Sequence, residues 1–267
     1  MNLSRKLIQN VASVLLGKPE SVRLAVACLM GEGHLLIEDI PGVGKTTLAL
    51  ALSRSIGGSF QRIQFTSDLM PSDLLGVSIY DQRAASFEFK PGPVFHNVVL
   101  ADEINRSSPK TQSALLESMQ ERQVSIDNHT HALPRPFFVI ATQNPHEHHG
   151  TFPLPEAQLD RFMMRLSLGY PSAETEAAIL RGDSTVPKVS ALVTVSDGAA
   201  VAAEIERIRA IAVDPSLDLY MVSLAQATRV SPLVDMGLSP RGTLALRRAA
   251  PVSYTHLRAH ETKANLV

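Results

Sequence analysis

The sequence contains no tryptophan and only one cysteine, and aromatic residues make up 5% of its 267 positions. A lone cysteine excludes an internal disulfide framework, and the apolar run around Cys28 indicates a buried thiol. No apolar run approaches about 20 residues, the length of a membrane-spanning helix. Residues 1–14 also lack the continuous apolar core of a secretory signal. The formal net charge of −1 argues against general polyanion binding. We expect a cytoplasmic, globular protein.

A glycine-rich loop lies between a predicted strand at residues 34–38 and a predicted helix. The loop consists of Pro41, Gly42, Val43, Gly44, Lys45, Thr46 and Thr47. Its glycines let backbone N–H groups point at phosphate oxygens, and the start of the helix adds a positive dipole end. Lys45 can then reach the β- and γ-phosphates, and the Thr46 hydroxyl can ligate Mg²⁺. The usual motif begins with glycine where this chain has Asp39, a departure that we expect to matter little.

Two adjacent carboxylates, Asp102 and Glu103, end a second apolar run at residues 95–101. In a parallel sheet, the carboxyl ends of the strands border the crevice where the phosphate loop also lies. Neighbouring strand residues point to opposite faces, so the two carboxylates can have different roles. We expect Asp102 to hold Mg²⁺ through water and Glu103 to orient or deprotonate the attacking water. Loop and carboxylates together indicate nucleotide hydrolysis.

Strands alternate with helices over residues 1–170, which predicts an α/β core with a parallel sheet flanked by helices. Two segments interrupt this alternation: an insert at about residues 68–92 and a hairpin at about residues 123–133. Residues 171–250 show helical patterns only, which predicts a smaller all-α domain.

The last residues differ in character from the rest. Residues 252–262 resemble the translation of a sequencing adapter, and Pro251 is predicted to interrupt the preceding helix. We expect residues 251–267 to be an artefact, the natural protein to continue past residue 250, and the helical domain to be incomplete.

The order of these segments resembles that of an AAA+ ATPase. Four runs resemble the MoxR family more closely: FKPGPVF at 89–95, LADEINR at 100–106, KTQSALLE at 110–117 and LPEAQLDRF at 154–162. The resemblance covers residues 1–250, and runs of this length are specific.

Membership of that family implies several roles. Asn144, after a third apolar strand, matches the sensor-1 position, and Arg241 matches the sensor-2 position on a helical lid. Arg161 matches the arginine finger that completes a neighbouring subunit's site. The resemblance further implies ATP and Mg²⁺ as cofactors, binding between core and lid at a subunit interface, and a homo-hexameric ring. Such proteins act as chaperone-like ATPases that remodel partners or insert metal cofactors, commonly with von Willebrand factor A domain proteins.

Three other functions fit the sequence less well. A nucleic-acid-associated NTPase would need a basic surface, but the predicted hairpin has Asp127, Asn128, His129 and His131 and no lysine or arginine, so we expect no nucleic-acid partner. A scaffold that binds nucleotide without hydrolysis would need neither Glu103 nor Arg161, so the presence of both residues argues against that function. A GTPase would carry an Asn-Lys-x-Asp segment, which is absent.

Residues 146–149, His-Glu-His-His, contain three closely spaced imidazoles, the side chains that commonly bind transition metals. Their spacing does not match the metalloprotease motif, and we expect a solvated loop.

Overall fold

A computed structural model describes residues 2–145, 150–181 and 188–253 of the chain. The helices are α1 (Leu3–Ala12), α2 (Pro19–Met30), α3 (Lys45–Ser55), α4 (Pro71–Leu75), α5 (Pro109–Glu121), α6 (Glu156–Leu159), α7 (Ala173–Leu180), α8 (Gly198–Arg209), α9 (Pro215–Val230) and α10 (Pro240–Pro251). The strands are β1 (Leu35–Glu38), β2 (Phe60–Gln64), β3 (Gly76–Asp81), β4 (Ser86–Pro91), β5 (Val98–Asp102), β6 (Gln123–Ile126), β7 (His129–Ala132), β8 (Phe138–Gln143) and β9 (Met164–Leu166).

Five strands form one parallel sheet in the order β2-β5-β8-β1-β9. The three inner strands, β5, β8 and β1, are apolar on both faces, as parallel strands covered by helices should be, whereas the edge strands β2 and β9 also carry polar residues. Because all five run the same way, their carboxyl ends share one edge, which we call the carboxyl edge. The predicted α/β architecture is confirmed.

The core consists of two hydrophobic clusters, and successive residues of a strand belong to different clusters. Leu35 and Ile37 of β1 belong to one cluster with residues of α1, α2, α3 and α8, whereas Leu36 belongs to another with residues of α5. Alternation along a strand places these two clusters on opposite faces of the sheet.

Local signals explain where several elements begin. The Ser108 hydroxyl accepts a hydrogen bond from the backbone N–H of Thr111, and Pro109 occupies the first position of α5, as predicted. Pro19 likewise opens α2 after the break at residues 13–18.

Both interruptions of the core are β-hairpins, and the one at residues 68–92 also contains α4. Strands β3 and β4 pair antiparallel, as do β6 and β7. Asp127 and Asn128 both have positive φ (49° and 63°), the conformation of a type I′ turn. The rings of Phe89 and His131 stack with centroids 3.9 Å apart, which connects the two hairpins.

The described residues after 171 form helices and one short 3₁₀ turn, in agreement with the sequence pattern. Residues Val201, Ile205 and Ile208 of α8 are buried in the same cluster as α2. The division into domains at residue 170 stays a prediction. None of the described helices is long and apolar enough to cross a bilayer.

The end of α10 differs from the prediction. The helix extends through Pro251 instead of stopping before it, and Val252 is fully buried against the core. Residues 254–267, most of the segment predicted to be an artefact, lie outside the described residues.

Candidate active site

The phosphate loop connects β1 to α3 at the carboxyl edge of the sheet. Gly42 and Gly44 have φ of 86° and 102°, in the left-handed region that favours glycine. At Gly44 a side chain would also collide with Leu15, since a Cβ there would lie 2.8 Å from Leu15 Cδ1. Gly44 caps α3, and Lys45 is the first residue of that helix. The loop therefore has the predicted strand–loop–helix setting, with the N-terminus of α3 beside it.

Lys45 is held inside this loop. Its Nζ atom donates a hydrogen bond to the backbone carbonyl of Asp39 at 2.7 Å. Burial lowers the pKa of Lys45 below its usual value, although three nearby carboxylates act in the opposite direction. These carboxylates belong to Asp102, Asp39 and Glu103. The predicted cation and both predicted carboxylates thus share one site.

Asp39 has more contacts than the sequence pattern suggests. Its Oδ2 atom accepts hydrogen bonds from the Ser167 hydroxyl (2.9 Å) and from the backbone N–H groups of Leu168 (2.6 Å) and Gly169 (2.7 Å). Its Oδ1 atom accepts one from the N–H of Ile40 at 3.0 Å. Burial raises the pKa of the Asp39 carboxyl, but these hydrogen bonds outweigh burial and hold the pKa below its usual value. Asp39 ties the start of the loop to the segment after β9.

Asp102 ends β5 and is fixed from two sides. Its Oδ1 atom accepts a hydrogen bond from the Thr142 hydroxyl at 2.6 Å. Its Oδ2 atom pairs with the Arg62 guanidinium, with Nη2 at 2.6 Å and Nε at 3.1 Å. These contacts hold the carboxylate at the carboxyl edge, near Lys45.

Glu103 follows in the left-handed conformation, with φ of 57°. Its backbone N–H donates to the Thr142 hydroxyl oxygen at 2.9 Å, so one buried threonine holds both acidic residues. The Glu103 carboxylate accepts a hydrogen bond from Gln64 at 2.8 Å and lies 2.9 Å from Nε of Arg106. The carboxylate that we expect to act on water therefore has two polar partners, Gln64 and Arg106.

Asn144 directly follows β8, the strand between β5 and β1, and so lies at the carboxyl edge between the carboxylates and the loop. Thr46 is the second residue of α3. The Thr46 hydroxyl and the Asp102 carboxylate are hard oxygen donors on the two elements that border the site. This donor set fits Mg²⁺, which prefers oxygen ligands and usually keeps several waters.

Arg161 and Arg241 lie elsewhere in the chain, in a cleft of about 360 Å³ that we call the arginine cleft. His34, which precedes β1, and Met163, which precedes β9, also line it. The cleft is therefore at the amino ends of these strands, opposite the phosphate loop. The Nη2 atom of Arg241 lies 3.5 Å from Oε1 of Gln120.

The two predicted arginines are brought together by α6 and α10. The Ser239 hydroxyl, at the start of α10, donates to the Asp160 carboxylate at 2.6 Å. The Nε atom of Arg161 is buried and has no hydrogen-bond partner among the described residues. The structure thus groups Arg161 with Arg241 and separates both from the loop, Asp102, Glu103 and Asn144 of the same chain.

The predicted His-Glu-His-His loop at residues 146–149 lies outside the described residues. Within the described part of the chain, no cluster of three or more His, Cys, Asp or Glu side chains could hold a metal ion.

Sequence reasoning missed several residues around the site. They are Arg62, Gln64, Arg106 and Thr142, and the anchoring contacts of Asp39. No motif identifies Arg62, Gln64 or Thr142, because each acts through a contact with a residue about 40 positions away in the chain. Arg106 lies within the LADEINR run and contacts Glu103, three residues before it. The position of Gln64 at the end of β2, beside β5, is a signal that could have found it.

The chain is similar in sequence to several known proteins. Residues 34–164 match a family model described as the ATPase family associated with various cellular activities (AAA). The chain is 49% identical to the protein YeaC of Bacillus subtilis over 248 residues, covering 92% of this chain and 77% of that protein. It is 42% identical to the chaperone MoxR1 of Mycobacterium tuberculosis over 257 residues (91% and 66%). It is 32% identical to the protein MoxR of Methylorubrum extorquens over 270 residues (91% and 78%).

A solved structure has the same fold. The crystal structure of a protein from Cytophaga hutchinsonii superposes with a TM-score of 0.83 at 39% identity. The match covers 94% of this chain and 79% of that one.

Proposed function

This chain belongs to the MoxR family of AAA+ ATPases, and we propose that it hydrolyses ATP in an oligomeric ring and uses the cycle for chaperone-like remodelling of partner proteins. The observation that supports a ring most directly is the separation of the charged residues into two groups. Lys45, Asp102 and Glu103 lie at the carboxyl edge, whereas Arg161 and Arg241 line the arginine cleft at the opposite ends of β1 and β9.

Each residue at the carboxyl edge has a chemical task. The loop N–H groups and Lys45 bind the phosphates. Glu103 takes a proton from the attacking water, whose oxygen bonds to the γ-phosphorus as the bond to the ADP oxygen breaks. Asn144 hydrogen-bonds the γ-phosphate or that water. Thr46 and Asp102 would hold Mg²⁺, which neutralises phosphate charge when it is bound.

Both arginines lie on the far side of β1 from the loop of their own chain, which supports a role in trans. The four residues of β1 span about 13 Å between the cleft and the loop. In a head-to-tail ring, every subunit presents the same cleft to its neighbour. Arg161 and Arg241 would then reach the ATP of the next copy, where an arginine supplied in trans can be worth about 10³–10⁵ in rate.

The biological role that we propose is the one that membership of the family implies. We propose a homo-hexamer that works in the cytoplasm, and von Willebrand factor A domain proteins together with client enzymes as partners. Insertion of a metal cofactor into such a client is one form that the remodelling could take.

Mixing two inactive variants tests the ring. Lys45→Ala removes ATP binding, and Arg161→Ala removes the trans arginine, so each variant alone should be nearly inactive. In an equimolar mixture, about one interface in four joins an intact loop to an intact arginine, so we expect about a quarter of the wild-type ATPase rate. If the mixture assembles but stays as inactive as the separate variants, Arg161 does not act in trans.

A further inference from the structure

The arginine cleft contains more positive charge than Arg161 and Arg241 supply. Five arginines line it: Arg122, Arg161, Arg209, Arg241 and Arg248. Two carboxylates, from Glu32 and Asp160, are the acidic lining residues. The whole chain has a formal charge of only −1, so this excess of cations is local.

Arg248 lies on the same side of α10 as Arg241. The two are seven residues apart, which is about two helical turns, and side chains at this spacing share one helix face. Leu244 and Ala245, between them, also line the cleft. The adjacent Arg247 is instead paired with Asp218 of α9, with Nε 2.6 Å from Oδ1.

Partners within the chain satisfy only some of these arginines. Arg122 pairs with Glu32 at 2.5 Å and also donates to its backbone carbonyl at 3.1 Å. Arg209 lies 3.9 Å from the same carboxylate. No hydrogen bond or ion pair joins Arg248 to any residue in the part of the chain that the structure describes. The buried Nε of Arg161 also has no partner among these residues, so two guanidinium groups in the cleft are available to an anion from outside the chain.

The surroundings of Arg248 disfavour its charge. Burial lowers its pKa, and so does the positive charge of Arg122, although Glu32 acts in the opposite direction. Repulsion between partly buried like charges is unfavourable until an anion enters. Guanidinium groups bind phosphate oxygens bidentately, so a polyphosphate suits the cleft.

We propose that Arg248 is a third trans arginine, which contacts the phosphates of the ATP held by the adjacent subunit beside Arg161 and Arg241. The inference rests on the proposed ring and adds a residue to the site formed between subunits. Glu32 positions Arg122 and Arg209 at the rim of the same cleft, so its carboxylate orders the arginines instead of binding ligand.

Substitutions on α10 test this assignment. Arg248→Ala and Arg248→Gln should lower kcat by about 10–100-fold, the effect of one charged hydrogen bond to phosphate. Arg248→Lys should keep part of the rate, because lysine retains the charge without the bidentate geometry. Arg247→Ala is the matched control on the next residue and should hydrolyse ATP at the wild-type rate. Sedimentation at saturating ATP should show intact rings for all four variants.

Mixed rings separate a role in trans from a structural role. An equimolar mixture of Arg248→Gln with Lys45→Ala should recover about a quarter of the wild-type rate, as for Arg161. If the Arg161→Ala mixture recovers activity and the Arg248→Gln mixture does not, the Arg248 inference fails and the proposed ring stands. If neither recovers, the proposed function fails as well. Wild-type kcat in Arg248→Gln, or loss of the ring in that variant, would also overturn the inference, since loss of the ring indicates a contact with protein.

Discussion

The carboxylate of Asp39 accepts a hydrogen bond from the backbone N–H of Gly169 at 2.7 Å, although the two residues are 130 positions apart in the chain. Asp39, two residues before the phosphate loop, is thereby fixed to the segment that follows β9. Since Arg161 lies just before β9, one short strand separates the loop's anchor from the arginine cleft.

Asp39→Asn should destabilise the fold by about 2 kcal/mol, because one of the two acceptor oxygens becomes an amide NH2 group that faces backbone N–H donors and cannot accept their hydrogen bonds. The pKa of Asp39 is below its usual value in the folded protein. Its contribution is therefore present above the unfolded pKa and is lost as the pH falls through the folded pKa. Urea unfolding at neutral and acidic pH measures both effects. Asp81→Asn, at an exposed turn of the β3–β4 hairpin, is the control. Equal unfolding free energies for Asp39→Asn and wild type would contradict the anchoring role.

Thr142→Val should lower kcat about tenfold while leaving ATP binding nearly unchanged. Valine has the same shape but removes the hydroxyl that holds both Asp102 and the backbone of Glu103. Thr142→Ser keeps the hydroxyl and should stay close to wild type in steady-state ATPase assays. If the serine and valine variants have the same kcat, the role of Thr142 is packing and not hydrogen bonding.

Glu103→Gln should lower hydrolysis by about 10²–10⁴-fold, because glutamine cannot take the proton from water. ATP should stay bound, which equilibrium binding and phosphate release measure separately. Glu88→Gln, at an exposed site on β4, is the isosteric control. A variant that hydrolyses ATP as fast as wild type would show that Glu103 is not the base, and a wild type without turnover would favour the scaffold alternative.

His34 should make the fold sensitive to acid. The imidazole ring is buried. Its Nε2 atom lies 3.0 Å from the carbonyl oxygen of Met119, and its Nδ1 atom accepts a hydrogen bond from the backbone N–H of Val139 at 3.1 Å. Burial lowers its pKa from 6.5 to about 4, so the neutral ring is stabilising. This contribution is fully present above the unfolded pKa and is lost as the pH falls from 6.5 toward 4. We expect a loss of about 3 kcal/mol in unfolding free energy over that interval.

The variant His34→Gln tests this prediction. It should have a lower unfolding free energy than wild type at neutral pH, and that free energy should change less as the pH falls. His96→Gln should keep the wild-type dependence, because His96 is only partly buried and contacts a nearby carbonyl within its own loop. An identical acid dependence in His34→Gln and wild type would mean that other groups are responsible.

Local patterns predicted much of the fold. The Ser108-Pro109 start of α5, the Asp127-Asn128 turn and the buried strand before Lys45 all depend on neighbouring residues, so they can be recognised without a structure. Strand β9 was not predicted, because its three residues show no alternation and become a strand only by pairing with β1. The helix through Pro251 was also mispredicted, since the burial of Val252 against the core favours continuation.

The sequence by itself determined the family, the phosphate loop and the order of the charged residues along the chain, because these depend on residue type and spacing. Only the tertiary structure decided which charges meet. Parallel strands bring Lys45, Asp102 and Glu103 to one edge of the sheet, and the packing of α10 beside α6 brings Arg241 and Arg248 to Arg161 at the other. The physical reason is that side-chain neighbours follow strand order and helix packing, which sequence distance does not encode.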